Sequence, residues 1–136
     1  MDLVILQEPL KELLLALKNN NLFNSGYLLG RYRGLSVIVE KVYFVHWKKL
    51  LEPAFFQAVE ASGPWSVLGV FELGPTTERK KLLLHPLFTE KIYLSLSLDR
   101  KKEIKAQARK IQFNGHFSFI PLEHLIFEME GKNEQF

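Results

Sequence analysis

Apolar residues recur at helical spacing through Leu10-Lys11-Glu12-Leu13-Leu14-Leu15-Ala16-Leu17-Lys18, and Pro9 suits the first turn of the helix they predict. Asn19-Asn20-Asn21 is expected to stop it, because Asn tolerates the left-handed conformation at helix ends. The pattern then changes period. Residues 26–33 and 35–46 are rich in Tyr, Leu, Val and Ile and meet at Arg33-Gly34, which predicts a β-hairpin. From Ser36 to Val45 the apolar character is nearly continuous, so part of that strand should be buried on both faces.

A second helix is predicted between Pro53 at its start and Gly63-Pro64 beyond its end, with Phe55, Phe56 and Val59 as its apolar stripe. Trp65 to Leu73 reads as a buried strand. Thr76 or Thr77 can cap a short third helix, with Glu78 well placed in its first turn. Ile92-Tyr93-Leu94-Ser95-Leu96-Ser97-Leu98 alternates, which predicts a strand with one core face and one polar face. Residues 103–113 fit two templates: Ile104, Ala108 and Ile111 would line a helix, and Ile104, Ala106 and Ala108 a strand. Asn114-Gly115 decides for the strand, because this dipeptide is a strong hairpin signal. His116 to Ile120 is then the return strand, and Pro121 places its end at a sheet edge or bulge. The polar tail from Gly131 to Phe136 is expected to fray. Helix, hairpin, helix, strand, helix, strand, hairpin is the element order of an α+β domain, spanning residues 1–130.

Composition narrows the class. The chain has 136 residues, 47% of them hydrophobic, with 11 Phe, which is enough to bury a core and argues against disorder. It has no Cys, which excludes disulfides and thiolate chemistry and fits a reducing cytoplasm. No segment is apolar for long enough to span a bilayer, and the opening Met1-Asp2-Leu3-Val4-Ile5-Leu6-Gln7-Glu8 lacks the basic start of a signal peptide. A cytoplasmic protein with no membrane partner is the expectation. Eighteen basic against fifteen acidic side chains leave a net charge of +3. The clusters Arg79-Lys80-Lys81, Arg100-Lys101-Lys102 and Lys48-Lys49 therefore read as solvated faces rather than as a strong nucleic-acid field.

Three patches resemble the JAB/MPN (JAMM) family. Ser25-Gly26-Tyr27-Leu28-Leu29-Gly30-Arg31 is similar to its first-strand Gly-x-Leu-Leu-Gly signature. Leu68-Gly69-Val70-Phe71-Glu72-Leu73-Gly74-Pro75 is similar to its Gly-Trp-Tyr-His-Ser/Thr-His-Pro segment, keeping the Gly, an aromatic and the Pro. Ile104-Lys105-Ala106-Gln107-Ala108-Arg109 through Phe119-Ile120-Pro121-Leu122-Glu123 is similar to its closing hairpin. The resemblance implies a mixed, mostly antiparallel sheet curled around one helix with other helices outside, a cytidine-deaminase-like sandwich. Active members hold zinc with two His and one Asp, and a Glu activates the bound water. Zinc lowers the pKa of that water toward neutrality. Residue by residue, the Glu position falls on Phe23, or Asn24 with a one-residue slip. The paired His positions fall on Glu72 and Gly74, and the Ser and Asp positions on Leu82 and His85. None of the five is retained. The resemblance thus implies a fold without the isopeptidase or peptidase activity, and no cofactor.

The remaining chemistry is sparse. Glu72 and His85 are competent metal ligands, but two rarely hold zinc without a third. The plainer reading is a strand-end Glu facing solvent or a Lys, and a His capping a short helix before Pro86. His46, His85, His116 and His124 are scattered, and Ser95 and Ser97 lack a nucleophile elbow. Gly26, Gly30 and Gly34 lie within a hairpin, so close backbone packing explains them better than phosphate binding. Tyr27, Tyr32, Tyr43, Phe44, Trp47 and Trp65, interleaved with Arg31, Arg33, Lys41 and Lys48, could stack on single-stranded nucleic acid, but aromatics more often fill cores.

The leading expectation is a non-catalytic JAB/MPN-like interaction or scaffold module with a protein partner or a second copy of itself. Trp47, Phe55 and Phe56, beside Leu50 and Leu51, are its candidate interaction residues. The sheet edge near Pro121 is the second candidate. The alternatives are an unrelated small-ligand or metal-binding enzyme domain and a basic-aromatic nucleic-acid binder.

Overall fold

The hairpin read from the sequence is the centre of the sheet. In the computed structural model, which describes residues 1–19, 23–75 and 77–128, strands β2 (Ser25–Arg33) and β3 (Ser36–Phe44) pair antiparallel. Arg33 lies opposite Ser36, so Gly34-Leu35 is the turn, and Gly34 takes the positive φ of 61° that a tight hairpin needs. Strand β4 (Ser66–Leu73) lies antiparallel on the other side of β2. Beyond it come β5 (Ile92–Leu98), parallel to β4, then β6 (Ile104–Phe113) and the edge strand β7 (Phe117–Pro121), each antiparallel to its neighbour. On the other flank β1 (Asp2–Ile5) runs parallel to β3, and β8 (His124–Phe127) parallel to β1. The result is a mixed eight-stranded sheet in the order β7-β6-β5-β4-β2-β3-β1-β8.

Strands β7 and β8 are at opposite ends of that order, yet only Leu122 and Glu123 separate Pro121 from His124. Three Cα steps reach at most about 11 Å. A flat sheet would hold its outer strands far further apart, so the sheet must curl until its edges approach. The helix α1 (Gln7–Lys18) fills the curl with Leu10, Leu13 and Ala16, against Leu3, Leu28, Val39, Phe71 and Leu94. Residues of both edges, Ala108 and Leu122 on one side and Leu125 and Phe127 on the other, pack on this same core. The opposite face is covered by α2 (Trp47–Leu50), α3 (Pro53–Ala61) and 3-10 turns at Glu78–Leu83 and Pro86–Phe88, over a second core that includes Tyr27, Val70, Phe88 and Tyr93.

Several expectations are met and several corrected. Pro53 opens α3, residues 104–113 are a strand, and Pro121 ends an edge strand. The second face of β5 carries half-buried Ser95 and Ser97 as expected, but it is not wholly polar. Tyr93 is buried there, because the sheet is covered on both sides. Phe113 pairs with Phe117, so the closing hairpin has a three-residue loop, Asn114-Gly115-His116, and His116 is not in the return strand. The helix α1 ends without a left-handed residue at Asn19, whose φ is −103°. Thr77 caps the 3-10 turn after β4 by accepting from the Arg79 N–H. Asn20, Asn21, Thr76 and the tail 131–136 lie outside the described residues. Among those described, no helix is long and apolar enough to cross a membrane.

Gly26 on β2 and Gly69 on β4 are sites of close approach. A Cβ on Gly26 would meet the Tyr43 carbonyl oxygen, and one on Gly69 the Ile92 carbonyl oxygen of the parallel neighbour. Backbone cannot yield as a flexible side chain would. Gly69→Ala should therefore destabilise the fold by about 1–3 kcal/mol in urea unfolding, the usual cost of overpacking. Gly63→Ala, whose Cβ would meet only the Trp65 ring at an ordinary 3.5 Å, should change stability little. Equal effects of the two substitutions would contradict the packing.

Candidate functional site

The antiparallel pairing of β2 with β4 sets Ser25 opposite Glu72, and the Leu73 N–H donates to the Asn24 carbonyl at 2.7 Å. Positions from two distant segments, Asn24 beside Phe23 and Glu72 beside Gly74, thereby meet at one end of the sheet. The Gly74 N–H donates across to Leu96 on β5 at 2.8 Å.

Glu72 is the chemically distinctive group at that end. The expectation of a solvent-facing carboxylate is corrected: its residue is only 2% exposed, on the side of the sheet covered by α3 and the 3-10 turns. Alternation places it there, since Val70 two residues earlier belongs to the second core. A carboxylate removed from water must find donors. Tyr93 OH donates to Oε1 at 2.7 Å, and Thr77 Oγ1 donates to Oε2 at 3.0 Å. Thr77 Oγ1 also accepts from the Arg79 N–H at 3.2 Å, so one network ties β4, β5 and the following 3-10 turn together. Buried Ser25 is satisfied separately, donating from Oγ to the Val45 carbonyl at 2.8 Å. Burial, then the hydrogen bond to Glu72 and the Glu72 charge, pushes the Tyr93 phenol well above its ordinary value, with Arg109 opposing.

His85 is exposed, and its Nδ1 accepts from the Leu87 N–H at 3.1 Å, capping the 3-10 turn at Pro86 as the plainer reading has it. Leu82 is exposed and Gly74 sits at φ 96°. Among the described residues, no group of three His, Cys, Asp or Glu is placed to hold a metal ion. A zinc ion does not fit these residues. Gly74 offers no ligand, and each oxygen of Glu72 already accepts a hydroxyl.

The candidate interaction residues divide. Trp47 and Phe56 are each 5% exposed and belong to the second core, so as surface anchors they are corrected. Helices α2 and α3 turn these rings onto the sheet, and Tyr27 OH fastens α2 by donating to the Leu50 carbonyl at 2.6 Å. The Trp47 Nε1 is buried without a hydrogen-bond partner among the described residues. Phe55 alone of the three stays partly exposed. Its ring lies 6.1 Å from those of Tyr27 and Tyr43, with the Lys49 ammonium 5.3 Å from its centroid. The aromatics proposed for base stacking are dispersed: Tyr27 is in the core, Trp65 lies under Lys41, and Tyr32 is exposed near the hairpin tip. The remaining histidines have local roles, His46 capping α2, His124 contacting Asp2 at 2.9 Å, and His116 in the β6–β7 loop accepting from the Asn114 N–H through its carbonyl.

Tyr93 and Thr77 were not legible as partners of Glu72. A buried carboxylate has to recruit donors, but Glu72 and Tyr93, 21 positions apart, are brought together only by the parallel pairing of β4 with β5. The raised phenol predicts an alkaline limit. Below the ordinary value of 10.0, folded and unfolded chains both hold the Tyr93 proton. Above it the unfolded chain ionises first, so stability falls as pH rises toward the folded value. Buried Tyr27 acts in the same direction. Tyr93→Phe should flatten the decline in melting temperature above pH 10.0 relative to the parent protein. A parent curve already flat in that range would contradict the network.

No family model matches the chain, and no curated protein matches it. Among solved structures, it is similar to the solution structure of protein DSY2949 from Desulfitobacterium hafniense, with a TM-score of 0.60, 22% identity and 96% of each chain covered. At that identity the likeness establishes the α+β fold over nearly the whole chain and carries no chemistry.

Proposed function

We propose that the chain is a degenerate JAB/MPN-like domain serving as a protein-interaction or scaffold module, without metallopeptidase activity. Its element arrangement supports the resemblance. One helix, α1, lies within the curl, α2 and α3 lie outside, and the three signature patches fall on β2, β4 and the β6–β7 hairpin. The observation that carries the reading is the state of Glu72. At the position of a zinc-binding His stands a carboxylate sealed by Tyr93 and Thr77, which braces the strand end instead of facing a substrate. In the family, domains without the metal site often partner other domains. Phe55 with exposed Tyr43 and Lys49 is an aromatic shelf suited to a folded partner.

The purified protein should leave isopeptide-linked and peptide substrates intact, with or without added zinc. Chelator-sensitive cleavage that is lost in a folded Glu72→Gln variant would overturn the reading. Phe55→Asp should weaken association, measured by sedimentation, and should lower the melting temperature less than Trp47→Ala, because the Phe55 ring is only partly buried against the second core. Truncating a fully buried Trp costs about 3–5 kcal/mol.

A further inference from the structure

The curl leaves two strand edges facing each other across a cleft. On β6, the Ile111 N–H donates to the Lys91 carbonyl at 2.8 Å and its carbonyl accepts from the Glu90 N–H, so odd-numbered residues direct their backbone groups toward β5. Even-numbered residues point the other way: the Ala108 carbonyl accepts from the Leu122 N–H at 3.0 Å. Strand β7 pairs with β6 only from Arg109 to Phe113. The backbone groups of Ile104 and Ala106 therefore face outward where no described strand pairs with them. On β8, the Glu128 N–H reaches the Ile5 carbonyl at 2.9 Å, which turns even-numbered residues toward β1 and the backbone groups of Leu125 and Phe127 outward.

Between these edges lies a cleft of about 310 Å³, lined on β6 by Ala106, Gln107, Ala108 and Arg109 and opposite by Leu122 and Leu125. Its inner side is apolar, since Ala106, Ala108, Leu122 and Leu125 pack on the first core. Its outer side carries more cations than acids. Arg109 lines it on β6 with Glu123 opposite, and exposed Arg100, Lys101, Lys102 and Lys105 precede or begin β6. The acids nearby are fewer: Glu103, Glu123 and Asp99, whose Oδ1 is occupied by the Lys101 and Glu103 N–H groups at 2.8 and 2.9 Å.

We propose that this fork docks an extended peptide of alternating apolar and acidic residues, which adds to β6 beyond the end of β7. The inference rests on the reading of the chain as an interaction module and names the partner's chemistry. The peptide backbone pairs with Ile104 and Ala106, in the same sense as β7 pairs further along β6. Its apolar side chains turn inward over the two alanines, whose small size leaves them room, and its carboxylates turn outward to Lys105 and Arg109.

The test is a ¹⁵N NMR titration of the whole chain with a capped Val-Glu-Val-Glu-Val peptide and with its Lys-for-Glu counterpart. Amide shifts should be confined to residues 104–109 and 122–127, and the Lys peptide should bind at least about tenfold more weakly, as charge complementarity requires. Ala106→Pro removes an N–H that the β5 ladder does not use, and should abolish binding while the fold persists. If that variant does not fold, Lys105→Glu with Arg109→Glu should reverse the preference between the two peptides. Absence of shifts with an intact peptide, or equal binding of both peptides, overturns this inference alone. Hydrolysis of the peptide overturns the non-catalytic reading and this inference with it.

Discussion

The two-residue step from β7 to β8 is the constraint on which the rest of the molecule depends. Leu122 and Glu123 carry the chain from one edge of an eight-stranded sheet to the other. That is possible only because the sheet rolls around α1, and the roll brings Ala108 of β6 and Leu125 of β8 onto one core. The N-terminal strand makes the step productive. Without β1, β8 would have no hydrogen-bonding neighbour on the flank to which the chain has just been carried. The first and last described strands thus complete the sheet together, and the fork between β6 and β8 is the geometric remainder of a curl that does not fully close.

At the end of β4, polar chemistry is used for cohesion. Glu72 is buried at a cost that its two hydroxyl donors offset, and a buried charge is in general weak evidence of stabilisation. What it does structurally is specific: the carboxylate joins β4, β5 and the 3-10 turn at Glu78–Leu83 through Tyr93 and Thr77. A group so held is a poor ligand or base. The strand end closes over itself through these hydrogen bonds instead of presenting a free carboxylate to solvent.

The parts legible from sequence were those with local periodicity or local punctuation. The β2–β3 hairpin, α1, α3 behind Pro53, and the strand before Asn114-Gly115 all carry their pattern within ten residues or so. Strands β1 and β8, of four residues each, are too short to show a period, and among the described residues β8 pairs with β1 and β1 in turn with β3. Tyr93 read as part of a polar face because alternation reports which side a residue is on, not what covers that side. Trp47 and Phe56 read as possible anchors for the complementary reason, that an apolar ring suits a core and an interface equally well until its neighbours are known. Glu72 was singled out in the sequence for its place in a motif, but its burial depended on Thr77 and Tyr93 arriving from later elements.

Residue-resolved amide hydrogen exchange along β6 tests most directly whether the chain steps away from this strand to reach β1. The account predicts slow exchange at Lys105 and Gln107, whose N–H groups point toward β5, and fast exchange at Ile104 and Ala106, whose N–H groups face the cleft. Slow exchange at all four would mean that another strand covers this edge, and would contradict both the step and the fork it creates.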